Sequence, residues 1–207
     1  MQLFTRQLMT VGTSAVDWAT NIRAAASSGM GTEIALWAVG FGAPIGTLAF
    51  TARVDGIADL AAKAAPLADD AAYADLLAAG ADLMAGPPID SLATPVHGEL
   101  GDPPPVGSYA SVTNATIANG KYAEAIGWGI DVAQHVTSLT DMPVGLLTQD
   151  FGPFGVLTWI GVSADAAGID RSARATNGDA EYISKLSAAG DLFVPGSGTR
   201  ALVTRIA

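Results

Sequence analysis

An α+β fold made of two tandem copies of one βαββαβ unit is predicted by three observations in this 207-residue chain. A fifteen-residue stretch, DAAYADLLAAGADLM from Asp70 to Met84, returns 109 positions later as DAEYISKLSAAGDLF from Asp179 to Phe193, with seven identical positions. Two apolar stretches broken by a Gly-Pro-Gly cluster, IALWAVGFGAPIGTLAFTA from Ile34 and VGLLTQDFGPFGVLTWIGVSA from Val144, occupy matching places in the two halves. Between the halves lies GELGDPPPVGS, whose three consecutive prolines make a stiff connector rather than a packed element. The organisation that follows is a first repeat over residues 1–100, a Pro-rich linker over 101–107 and a second repeat over 108–207.

The elements of the first half follow in order. QLFTRQLMT alternates as a strand does. A Gly-Thr-Ser stretch precedes AVDWATNIRAAASS, where Trp18, Ile22 and Ala25 or Ala26 recur at helical spacing, and Ser14 is the expected N-cap. The apolar stretch from Ile34 is nineteen residues without charge, close to the length of a membrane-spanning helix. Gly40, Gly42, Pro44 and Gly46 crowd its centre, and the second copy sets Asp150 there, so it reads as two buried strands joined by a tight turn, roughly 33–41 and 45–54. A short helix near Ile57 to Ala65 is expected to stop at Pro66, and Asp69 or Asp70 to cap another. In that second helix Tyr73, Leu76, Leu77, Gly80, Leu83 and Met84 form the stripe of a helix lying on a sheet. IDSLATPVHG supplies the fourth strand. The second half repeats the order, from a strand at Ser108 through a helix near Tyr122 to Thr137, a hairpin turn at Phe151 to Gly155, a helix from Asp179 and a last strand from Thr199.

This order is the ferredoxin-like split βαβ unit. A four-stranded sheet with helices on one side leaves its other face bare, and the nearest partner is the other copy. The expected assembly is two tandem ferredoxin-like repeats packed as an intramolecular pseudo-dimeric α/β barrel. In element order and in the Asp-x-x-Tyr helix start (Asp70 with Tyr73, Asp179 with Tyr182), the chain resembles the dimeric α/β-barrel superfamily. That group includes NIPSNAP-like, stress-responsive barrel and antibiotic-biosynthesis monooxygenase proteins; here one chain would supply both halves. The resemblance covers nearly the whole chain and rests on no catalytic motif. It implies a pocket between sheet and covering helices, or inside the barrel. The activity it implies is that of a cofactor-independent enzyme, an oxygenase, isomerase or decarboxylase acting on a small hydrophobic molecule. The alternative is a non-catalytic protein that binds a ligand or assembles with copies of itself as a homo-oligomer. Chlorite-dismutase-like relatives also have tandem halves, but nothing here matches their haem-binding pattern, and no cofactor is expected.

Composition narrows the function classes. Half the residues are hydrophobic and 14% charged, a globular rather than a disordered balance. A net charge of −10 with no cluster of Lys or Arg repels phosphate backbones, so no nucleic acid is expected as a partner. No membrane association is expected either, and MQLFTRQLMTVG lacks the apolar run of a secretory signal, which points to the cytoplasm. The chain has no cysteine, which excludes disulfides, thiolate nucleophiles and Cys-based metal sites. With only two histidines and no HExxH spacing, no metal site is expected. GFGAPIG is followed by a strand where a dinucleotide loop needs a helix, and PGSGT lacks the lysine of a phosphate loop.

The candidate site residues are polar groups on apolar strands. Arg6 shares one face of the first strand with Phe4 and Leu8, and Asn114 is its counterpart when Gly12 is aligned with Gly120. Such a pair can orient a ligand, or can sit at a wet strand end satisfying backbone groups. His97, closing the fourth strand, is the candidate general base, the competing account being a surface histidine. Trp37 and Trp159 lie on the hairpin strands and are placed as walls of an apolar pocket, with core packing as the competing role.

Overall fold

The computed structural model describes residues 1–12 and 14–207. The first half runs β1 (Gln2–Met9), α1 (Ala15–Met30), β2 (Ile34–Phe41), β3 (Thr47–Val54), α2 (Ile57–Ala68), α3 (Ala71–Ala79), a 3-10 turn (Ala81–Leu83) and β4 (Ile89–His97). The second half runs β5 (Tyr109–Thr116), α4 (Tyr122–Thr140), β6 (Val144–Phe151), β7 (Val156–Ser163), α5 (Ala166–Gly178), α6 (Ala180–Ser187) and β8 (Thr199–Arg205).

The eight strands close into one barrel in the order β1-β3-β2-β8-β5-β7-β6-β4, every neighbour antiparallel. Within each half the strand order is the ferredoxin-like one, which leaves β2 and β4, and likewise β6 and β8, as edges. Those edges pair across the halves, β2 with β8 and β4 with β6, so neither half keeps a free edge strand. Stretches predicted as hairpins are hairpins, and Ile34–Ala52 is not a single helix.

Period-two alternation decides what each strand face meets. On β3, Leu48, Phe50 and Ala52 point outward and pack with Trp18 and Ile22 of α1, and Val54 on the same face is buried. Ala49 points inward, where it joins Ala35, Trp37, Ala110, Val112, Ile160 and Val203 in an apolar cluster inside the barrel. The second half has its own outer core, with Leu146, Leu157 and Trp159 under Ala125 and Ala133 of α4.

The repeated words cap and dock in the same way. Asp70 accepts the Tyr73 backbone N–H at the start of α3, and Asp179 accepts that of Tyr182 at the start of α6. The indole of Trp18 donates to the Leu76 carbonyl at 2.7 Å, and that of Trp128 to the Lys185 carbonyl at 2.9 Å.

Four local expectations are corrected. Ser14 precedes α1 but its side chain makes no capping bond, because its backbone (φ −79°, ψ −7°) is already helical; the Thr13 next to it lies outside the described residues. Pro66 does not end a helix: α2 continues to Ala68, and Leu67 beyond the proline packs into the core beside α1. The stretch from Asp70 to Met84 is not one helix, since α3 stops at Ala79 and a 3-10 turn follows. The break falls at Gly80, where a β-carbon would sit 1.9 Å from the Trp18 ring, so the residue must be glycine for the indole to dock. Lastly, α3 rests on α1 and α2 rather than directly on the sheet, and the second half carries a helix that was not expected, α5, the counterpart of the short helix expected and found as α2 in the first.

Candidate functional site

Two cavities lie outside the barrel, one in each half, between the outer face of the strands and the helices above them. In the first half, Phe4 and Leu8 of β1 and Phe50 of β3 form the floor, and α1, α2 and α3 contribute Trp18, Leu60 and Leu77. The space measures about 720 Å³ and its lining is almost wholly apolar, within the usual size of small-molecule sites.

Its polar residues are Arg6, Asp90, Tyr73 and Thr51, the last with its hydroxyl engaged by the Trp37 indole. Arg6 on β1 stands directly opposite Asp90 on β4, and the guanidinium donates both Nε (2.8 Å) and Nη2 (2.7 Å) to the two carboxylate oxygens. Side-chain exposures of 42% and 45% put this pair at the mouth of the cavity. The Arg6 pKa is raised, first by the hydrogen bond to Asp90, against desolvation, with further charge attraction from Asp90 and Tyr73. The mouth therefore holds a fixed cation beside a carboxylate, with a phenol close by.

The second-half cavity is smaller, about 340 Å³. Strand pairing shows why. Phe50 faces Arg6 in the β1–β3 ladder and Trp159 faces Thr113 in the β5–β7 ladder, so Trp159 takes the place of Phe50. Phe193 likewise takes the place of Met84, as the bridges Thr10–Met84 and Ile117–Phe193 show. Trp128, Trp159 and Phe193 meet edge to face at centroid distances of 5.3–6.0 Å and fill space that the first half leaves open.

The same pairing corrects the match of Arg6 with Asn114. The counterpart of Arg6 is Thr113, and Asn114 points into the barrel, where its Oδ1 accepts from the Thr158 hydroxyl at 2.7 Å. Thr10 and Trp18 are eight positions apart but their equivalents Ile117 and Trp128 are eleven apart, so aligning Gly12 with Gly120 misplaced the longer loop by one residue. In a strand, one residue is the difference between opposite faces.

The other candidates also separate. Trp37 lies inside the barrel and donates Nε1 to the Thr51 hydroxyl at 3.0 Å. His97, half-buried at the far end of β4, is seven positions beyond Asp90, about 23 Å along the strand. Trp159 walls the second cavity, donating Nε1 to the Gly129 carbonyl at 3.0 Å. Of the five residues singled out from the sequence, Arg6 lines the first cavity and Trp159 the second; Asn114 also borders the second, with its side-chain oxygen held by Thr158. Asp90, Tyr73, Ser111 and Arg200 were not singled out. A signal for two of them exists: extending the alignment of Leu92 with Leu202 two residues back sets Asp90 over Arg200. No group of three or more His, Asp or Glu converges in metal-binding fashion among the described residues.

A polar cluster on the second half stands apart from both cavities. His135 of α4 lies 2.8 Å from Asp179, whose carboxyl is held below the ordinary range, first by the Tyr182 backbone N–H and then by His135. A depressed native value means stabilisation that is present above the unfolded carboxylate value of about 4 and is lost as pH falls through the native one. The melting-temperature penalty of Asp179→Ala is therefore expected to be present at pH 7 and to shrink steadily below about pH 4. A penalty independent of pH would contradict this account.

No protein-family model and no curated protein sequence matches the chain. Solved structures do. A Fusobacterium nucleatum protein described as a "putative monooxygenase" superposes with a TM-score of 0.67 at 11% identity, covering 100% of this chain and 92% of that one. An "anthrone oxidase-like protein" gives 0.67 at 9% identity, covering 99% and 91%. A NIPSNAP family protein of Agrobacterium tumefaciens matches 53% of this chain and 90% of its own, with a TM-score of 0.40 at 13% identity. The chain thus has the fold of the dimeric α/β-barrel proteins, with one polypeptide forming the whole eight-stranded barrel. No helix among the described residues is long and apolar enough to cross a membrane.

Proposed function

We propose that the first-half cavity is the active site of a cofactor-independent enzyme acting on a small, mostly apolar molecule through an enolate or phenolate. The observation that carries this reading is a cavity of about 720 Å³ whose apolar lining is interrupted at the mouth by the Arg6–Asp90 pair and Tyr73. Oxygenation without a cofactor, isomerisation and decarboxylation all pass through a substrate oxyanion, and a guanidinium fixed beside an apolar chamber stabilises one as it forms. Asp90 is the carboxylate placed to take the substrate proton. Among the full-length structural neighbours, the names of two, a "putative monooxygenase" and an "anthrone oxidase-like protein", support oxygenation among the three. For an anthrone the balance is simple: the ring CH₂ loses both hydrogens, one atom of O₂ becomes the new carbonyl oxygen and the other leaves as water. On this reading residues 1–100 carry the larger site, 101–107 connect, 108–207 carry the smaller, and the setting is the cytoplasm. His97, Asn114 and Trp37 have no part in it.

Oxygen uptake and quinone formation from anthrone are the test. Arg6→Ala is expected to lower kcat/KM by about 10²–10³, and Ala64→Phe, which fills the cavity, to abolish turnover with the far-UV spectrum unchanged. Turnover that survives both substitutions, or wild-type protein that neither binds nor oxidises anthrone, would overturn the proposal.

A second reading, self-assembly without catalysis, is favoured by one surface. Because every neighbour in the barrel is antiparallel, the β2–β3 and β6–β7 turns emerge at the same end. They expose Phe41 (73%), Ile45 (98%), Phe151 (58%) and Phe154 (91%). Such a crown suits a second copy docked end to end. A concentration-independent monomer by light scattering would sink it.

A further inference from the structure

The two cavities differ in charge as well as in size. In the first, Arg6 of β1 is opposite Asp90 of β4, a neutral pair. The equivalent positions in the second are Thr113 of β5 and Arg200 of β8, which stand opposite each other in the ladder. The arginine has moved one strand over, into the place of the carboxylate, and its former place holds a neutral threonine. Arg200 lines the cavity rim, and its side-chain hydrogen bond among the described residues is Nε to the Ser111 hydroxyl, 2.9 Å away. No carboxylate forms an ion pair with it there, in a chain whose net charge is −10.

Behind that cation lies the aromatic wall of Trp128, Trp159 and Phe193, with Tyr182 of α6 also lining the space. A volume of about 340 Å³ suits a ligand of one or two rings. The wall offers edges and faces to an aromatic body, and the guanidinium fork left free offers bidentate bonds to a carboxylate at the rim. We infer that the second-half cavity is a separate binding site for a small aromatic carboxylate, with Arg200 as the residue that selects the anion. This site stands on the second half alone and does not depend on the reaction proposed for the first.

The test compares 2-naphthoate with its neutral isostere 2-naphthamide by isothermal titration and by quenching of tryptophan fluorescence. Wild-type protein is expected to bind the carboxylate at least about tenfold more tightly than the amide. Arg200→Gln should erase that preference and Arg200→Lys should keep part of it; Arg200 is exposed, so both variants are expected to melt with the wild type. Arg6→Gln should leave the preference in place. The inference is overturned when wild-type protein shows no preference or no saturable binding of either probe, or when the preference survives Arg200→Gln. Its loss in Arg6→Gln with retention in Arg200→Gln would seat the anion in the first half and overturn it equally.

Discussion

Gly42→Ala is expected to cost about 3 kcal/mol or more of unfolding free energy by opening the seam between β2 and β8. Gly42 follows β2 with φ +83°, and a β-carbon there would lie 1.9 Å from the Arg200 carbonyl oxygen and 2.8 Å from the Ala201 α-carbon. Two penalties combine. A left-handed backbone costs an L-residue about 1–2 kcal/mol, and the backbone of β8 must retreat, since no side chain is available to turn aside. Retreat breaks the pairing of Phe41 with Leu202, one of the contacts by which one half closes on the other. Gly40→Ala is the control, because a β-carbon at Gly40 meets only the Leu202 carbonyl oxygen at 3.7 Å and should change stability by less than about 1 kcal/mol. Urea unfolding measures both, and hydrogen exchange at β8 locates the damage. Equal effects from the two alanines would refute the seam argument.

Arg205→Ala is expected to weaken the same seam from the other side, by about 2–3 kcal/mol. Arg205 is 5% exposed on β8, opposite Trp37 of β2. Its guanidinium donates Nη2 to Glu33 at 2.5 Å, Nη1 to the Pro104 carbonyl and Nε to the Ala207 carbonyl at 3.2 Å. One side chain thus ties the first half, the proline connector and the C-terminal residues together. Removing a partner from a fully buried pair costs about 3–5 kcal/mol, but Glu33 is half exposed, which lowers the figure. Arg205→Lys should recover little, because one ammonium cannot serve three acceptors lying in different directions. Guanidinium chloride unfolding of the three proteins is the measurement. Full recovery by lysine would show that charge alone, not the fork, holds the connector.

How much of this was legible in advance depends on the range of the interaction. Asp70 and Asp179 cap the helices that the repeated words predict because a cap bond spans three residues and needs nothing from elsewhere. The hairpins at Phe41 to Gly46 and Phe151 to Gly155 were readable for the same reason, since glycine and proline act on their own backbone. Arg6 was found because it interrupts an apolar strand face. Asp90 and Arg200 lie at the exposed starts of their strands, where a charged residue raises no question until its neighbour across the ladder is known.

The amino-acid order of this chain settles the duplication, the kind of element at most positions, and the outward face of each strand relative to its own neighbours. It does not settle which residue of another strand stands opposite, and the functional geometry consists of such oppositions: Arg6 with Asp90, Arg200 with Thr113, Trp159 where the first half has Phe50. Register arises from pairing between segments far apart in the chain, as where Trp37 of β2 stands opposite Arg205 of β8. A loop longer by a few residues shifts an alignment without leaving a mark in local periodicity. Asn114 shows the consequence, one position from the true counterpart of Arg6 and facing the opposite side of the sheet.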